Sequence, residues 1–184
     1  GEGSDTLTLA NTSGASAFGA GVITSSIEGI SINGVTATNL DASLMSGVTS
    51  VTNNGSLAAI SITGLAAIPS VSVVASSANT TVGMTAAATV GTADEMTINL
   101  NGASATAGST VSAAGIEKFN VSATGTASGA LTRPVTLTSA NLKEVVVTGD
   151  AASALSANLA GATATVQGTV TGNAAANTVL LTAD

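Results

Sequence analysis

The sequence contains no cysteine, no histidine, no tryptophan and no tyrosine, and its aromatics are Phe18 and Phe119 alone. Without histidine there is no Ser-His-Asp triad and no imidazole metal site. Without cysteine there is neither a thiol nucleophile nor a disulfide, so stability must come from packing, backbone ladders or metal. Basic residues are equally scarce: Lys118, Arg133 and Lys143 are the only three, and the formal net charge is −7. That balance excludes a nucleic-acid binder, which needs several phosphate-neutralising cations, and electrostatic attachment to anionic lipid. No apolar run reaches the length of a membrane span, and no signal peptide with a basic start and apolar centre is present. A phosphate-binding glycine-lysine loop is missing as well. The one adjacent acidic pair, Asp94-Glu95, would point to opposite faces of a strand, with no Trp or Tyr to stack a sugar. An enzyme is not expected.

What is present is aliphatic and small. Apolar residues make up 45% of the 184 residues while charged residues make up 7%, the reverse of a disordered composition, so the chain is expected to fold. Gly, Thr, Ser and Val favour strands joined by small-residue turns. Helical signals are confined to 39–47 and 150–161, each able to form a short turn of helix, the second with Asp150 as a cap.

Strand signals repeat. Residues 26–35, 56–65, 115–125 and 141–150 share one form: an aliphatic residue, two outward positions, alternating apolar residues and a closing glycine. The inward set is Ile27/Ile30/Ile32, Leu57/Ile60/Ile62, Ile116/Phe119/Val121 and Leu142/Val145/Val147. Looser copies occupy 68–76 and 93–102. Alternation buries one side of each strand, and units of about 20–26 residues have the length of a solenoid repeat that must stack to cover its apolar face. Asn33-Gly34, Asn54-Gly55 and Asn101-Gly102 would supply the corners. An all-β fold follows, a parallel β-helix or similar stacked β-solenoid; two antiparallel β-sandwich domains are the alternative. In register, Glu117 would lie over Lys143 and Lys118 over Glu144, two complementary cross-strand pairs. Asn11, Asn54, Asn79 and Asn120 stand in N-x-[ST] sequons. Phe119 is expected in the core and Phe18 as a cap on it.

The first residues, Gly1-Glu2-Gly3-Ser4-Asp5-Thr6-Leu7, read G-x-G-x-D-x-L. They resemble the calcium-binding nonapeptide of RTX proteins, although the motif occurs once and lacks its first glycine. The far end, VTGNAAANTVLLTAD at 170–184, resembles the segments that lead into RTX arrays, and the units at 116–125 and 142–150 look like repeats of bacterial S-layer proteins and RTX-type adhesins. The resemblance implies calcium as a structural cofactor. Gly1, Gly3 and Asp5 would belong to a calcium turn with Leu7 in the core, and Asp150 and Asp184 are further candidate ligands beside turns, as are Asp41 and Asp94. It implies one repetitive segment over 1–184 with RTX-like edges at 1–9 and about 170–184. Because Gly1 is no natural translation start, the chain is expected to be cut from a longer surface protein. The expected function is structural: part of an S-layer or extracellular filament on a bacterial cell surface, its partners copies of itself in a lattice or fibre. Cell-surface polysaccharide, held by regions outside this chain, is a further partner the resemblance allows. The alternative is a spacer or ligand-binding segment of a large RTX-type adhesin.

Overall fold

A computed structural model describes residues 3–14, 16–18, 21–76, 78–101, 109–124, 135–149, 153–162, 169–172 and 177–182. These form sixteen strands: β1 (Thr6–Asn11), β2 (Ser16–Phe18), β3 (Gly29–Gly34), β4 (Thr38–Asp41), β5 (Ser50–Asn54), β6 (Ile60–Leu65), β7 (Ser70–Val74) and β8 (Thr80–Met84). The second half adds β9 (Glu95–Asn101), β10 (Thr110–Ala113), β11 (Lys118–Thr124), β12 (Val135–Thr138), β13 (Glu144–Gly149), β14 (Ser153–Asn158), β15 (Thr169–Thr171) and β16 (Asn177–Thr182).

Odd and even strands separate completely. One eight-stranded sheet has the order β1-β3-β5-β7-β9-β11-β13-β15 and the other runs β2-β4-β6-β8-β10-β12-β14-β16, each strand parallel to its neighbours. The chain therefore winds as a β-solenoid, each rung giving one strand to each sheet. Ser50 pairs with Ser70 and Thr80 with Val111, so a rung takes between about 20 and 31 residues. Parallel pairing excludes the antiparallel sandwich alternative.

The core lies between the sheets, because alternation turns every second side chain of both inward. Ile30, Ile32, Val51, Phe119, Val121, Val145 and Val147 of the first sheet meet Leu40, Ile60, Ile62, Val82, Val111, Leu137 and Leu155 of the second in one buried cluster. Phe119 is fully buried and Phe18 packs half-buried against the cluster, as expected.

Two expectations fail, each for a local reason. The copy at 56–65 lies in the second sheet, because β6 pairs with β4 and β8. Its Leu57 sits in the corner before β6 and is 77% exposed, whereas Ile60 and Ile62 are buried as expected. The helical turns are absent: Thr38–Asp41 and Ser153–Asn158 are strands, since ladder partners on both sides outweigh the helix propensity of Leu, Ala and Met. Residues 150–152 lie outside the described set.

The two edges of the solenoid are built differently. At the near edge the second sheet's strands end and the first sheet's begin; at the far edge the chain crosses from the first sheet to the second. The far corners enclose polar side chains. Asn11 donates from Nδ2 to Thr38 Oγ1 at 3.0 Å on the next rung, and Asn53 repeats the bond to Thr80 Oγ1 at 2.9 Å. Both asparagines and both threonines are buried. Ser56 Oγ donates to the Ile32 carbonyl and accepts from the Gly34 N–H. The Ser56 bonds satisfy backbone groups at the corner, and the Asn–Thr bonds pair side chains that the corner buries. Of the Asn-Gly corners, Gly55 takes a left-handed φ of +68°, Gly34 closes β3 inside the ladder, and Gly102 is not among the described residues.

Candidate functional site

Every charged side chain among the described residues lies along the near edge. Asp5, Glu28, Asp94, Glu117 and Lys143 stand immediately before first-sheet strands, Glu95, Lys118 and Glu144 open such strands, and Asp41 closes β4. This row is the candidate functional site.

It is built from a unit that occurs twice. The Asp5 carbonyl accepts from the N–H groups of Glu28 and Gly29, and the Asp5 N–H donates to Glu28 Oε2 at 2.8 Å. Eight strands further along the chain the Asp94 carbonyl accepts from the N–H groups of Glu117 and Lys118, and the Asp94 N–H donates to Glu117 Oε2 at 2.9 Å. In each case a glutamate 23 residues downstream reaches back one rung to fasten the aspartate's backbone. That equal spacing was the signal available in the sequence, and alternation alone did not reveal it. Glu28 is half-buried while Glu117 is only 4% exposed, so the second copy is the enclosed one.

Lys118 stands between two carboxylates. Register places it opposite Glu95 on one side and Glu144 on the other, with Nζ 3.4 Å from Glu95 Oε1 and 3.7 Å from Glu144 Oε1. The expected Lys118–Glu144 pair is therefore present, and Glu95 extends it into a ladder of three. The other expected pair is in register only through its backbone: Glu117 accepts from the N–H of Lys143, but its carboxylate turns to Asp94 while Lys143 Nζ donates to the Thr92 carbonyl at 3.4 Å. Asn120 donates to Glu95 Oε2 at 2.9 Å, and this bond, followed by the Lys118 charge, holds the Glu95 carboxyl below its ordinary pKa. A hollow of about 150 Å³ opens among Thr92, Glu95, Glu117, Lys118, Lys143 and Glu144. Asp94 Oδ2 is buried without a hydrogen-bond partner.

The residues expected to bind calcium are spread out. Gly3 is an exposed bend with φ +145°, and Asp5 is exposed at the start of β1, near Glu28. Gly1, Asp150 and Asp184 lie outside the described residues. Asp41 Oδ1 accepts from the Ser43 N–H at 2.9 Å, a local turn in which hydrogen bonds from Ser43 lower its pKa. Calcium takes about six to eight oxygen ligands, and among the described residues no group of three acidic side chains is arranged to hold a metal. Leu7 packs half-buried against the core, as the motif implied. Of the sequon asparagines, Asn11 is buried and used within the corner, while Asn54 and Asn79 are exposed. Chemically, the row pairs opposite charges and anchors backbone; its two lysines are engaged with carboxylates and a carbonyl. Compared with protein-family models, curated proteins and solved structures, the chain matches none.

Proposed function

We propose that this chain is a structural segment of a secreted bacterial surface protein, an S-layer or extracellular filament, that assembles with copies of itself on the cell surface with calcium bound. The observation that carries it is the uninterrupted solenoid: both sheets continue rung upon rung from β1 to β15 and from β2 to β16, a ladder that strands of another chain could extend. Such a ladder offers natural docking points for another chain. A rod of small neutral side chains with its charges paired along one edge suits a building material, and catalysis has no part in the proposal. Calcium would be held by Gly1, Gly3 and Asp5, as the RTX resemblance implies, with Asp150 and Asp184, beside turns in the sequence, as further candidate ligands.

The same rod suits a spacer in an adhesin, and self-association separates the two. Negative-stain electron microscopy of the purified chain, with calcium and then with a chelator, is expected to show ordered sheets or fibres that disperse on chelation. Dispersed monomers under both conditions would favour the spacer.

A further inference from the structure

Two Asn-Gly pairs stand at far corners one rung apart. Asn33-Gly34 closes β3, and Asn54 closes β5 with Gly55 following it. Register pairs Ile32 with Asn53, so Asn33 and Asn54 hold the same place on adjacent rungs. In an Asn-Gly pair the glycine nitrogen can attack the asparagine amide carbon, because glycine brings no side chain to hinder the approach. The fold treats its two copies differently.

At the first corner both reacting groups are held. The Gly34 N–H donates to Ser56 Oγ at 3.0 Å inside the buried corner, and the Ser56 hydroxyl donates in turn to the Ile32 carbonyl. The Asn33 amide donates from Nδ2 to the Asn54 carbonyl at 2.7 Å and lies 3.3 Å from the place a Cβ on Gly55 would take, so it is turned to the next rung. The second corner cannot repeat this. Val74, which pairs with Asn54, already accepts from the Gly55 N–H at 2.8 Å through its carbonyl. The Asn54 amide is exposed and has no hydrogen bond to another described residue, and Gly55 is half-buried where Gly34 is buried.

We propose that Asn54 is a site of spontaneous covalent modification in the folded chain, cyclising onto Gly55, while Ser56 guards Asn33 against the same reaction. The Gly55 nitrogen gives its proton to solvent and bonds to Asn54 Cγ; the Cγ–Nδ2 bond breaks and ammonia leaves, giving a five-membered succinimide. Water then opens the ring at either carbonyl and leaves aspartate or isoaspartate, with nothing oxidised or reduced. At Asn54 this requires only the Gly55–Val74 bond to open, a local event at a strand end. At Asn33 a bond to a buried hydroxyl and a bond from the amide must open together. Isoaspartate lengthens the backbone by a methylene and adds a carboxylate, so the bonds that join this corner to Asn33 and Val74 lose their alignment. The rod carries its age at one corner, whether or not it assembles.

The test is peptide mapping of the full 184-residue chain after incubation in mildly alkaline buffer, with isoaspartate counted by enzymatic methylation. In the folded chain Asn54 is expected to convert roughly tenfold faster than Asn33 or more, and in concentrated urea the two are expected to convert at similar rates. Asn101-Gly102, whose glycine lies outside the described residues, is resolved from both by the mapping. Ser56→Ala is expected to raise the Asn33 rate towards that of Asn54, and Asn54→Gln to remove the early product. The wild-type chain alone gives the ratio, so the test does not depend on either variant folding. Equal rates at the two sites in the folded chain, faster conversion at Asn33, or an Asn54 that stays intact until urea is added would each overturn the proposal.

Discussion

The N–H of Asp94 donates to Glu117 Oε2 across one rung, repeating the bond between Asp5 and Glu28. Glu117 is nearly fully buried, so removing its carboxylate leaves a backbone donor unsatisfied in a place water barely reaches. Glu117→Ala is expected to cost about 1–3 kcal/mol in urea unfolding. Glu117→Gln, whose amide oxygen still accepts, should recover most of that. Glu28→Ala, which breaks an exposed bond, should cost less than Glu117→Ala. Equal losses at Glu28 and Glu117 would show that enclosure is not what gives the bond its value.

At the far corner Asn53 holds Thr80 from the interior, and its Oδ1 also accepts from the Ser56 N–H at 3.4 Å. Asn53→Ala strands both partners and opens a small void, for an expected loss of about 2 kcal/mol. Hydrogen exchange should locate the damage in β5, β6 and β8, because the bond crosses only one rung. Uniformly faster exchange over the whole chain would contradict that.

Gly149 ends β13 at φ +90°, where a Cβ would collide with the Ala123 carbonyl oxygen. Gly149→Ala therefore combines left-handed strain with a backbone clash that no rotamer relieves. The strain alone costs about 1–2 kcal/mol, and the clash adds to it. The expected result is a clearly lower melting temperature with β11 and β13 deprotected; a variant as stable as the wild type would exclude the described corner.

Glu95 has a depressed pKa in the folded chain, first through Asn120 and then through Lys118. A group of this kind stabilises the fold at pH above its unfolded value and loses that contribution as the pH falls through its folded value. The group is solvent-exposed, so the effect should be small and screened by salt. Carboxyl chemical shifts are expected to titrate Glu95 below an ordinary glutamate, and Asn120→Ala to move it back upward. Glu95→Gln should make stability slightly less sensitive to acid. No movement of the Glu95 titration in Asn120→Ala would reject the assigned cause.

The solenoid was legible in the sequence because period-two burial leaves a plain trace: Ile30/Ile32, Phe119/Val121 and Val145/Val147 are all inward as the repeats implied. Lys118 over Glu144 was legible for a related reason, since constant register converts sequence alignment into contact. What alternation cannot show is which of two sheets a strand joins, because both have the same period. That is why the copy at 56–65 reads like those of the first sheet and Leu57 was expected inside. Several even strands are short, and segments such as TVSA and VTLT give too few alternations to stand out. Asn11 illustrates a different loss. Its sequon suggested a surface acceptor, whereas the corner needs an internal amide to satisfy Thr36 and Thr38.

The charged row escaped notice for want of scale. Its members are separated by about one rung in sequence and acquire a common edge only when the winding is known. The candidate calcium residues belong to a local motif or stand beside turns, and of them Gly3, Asp5, Asp41 and Asp94 fall on the near edge.

Because successive rungs are joined side by side, a pull along the solenoid axis loads the ladders in opening, not in shear. Hydrogen bonds would part strand by strand, with the neighbouring rung intact until its own turn. Each released rung of about 20 to 31 residues would yield about 70–110 Å of slack chain. A surface built from such segments would give way under tension in small, countable lengths, absorbing work while the remaining rungs hold their register.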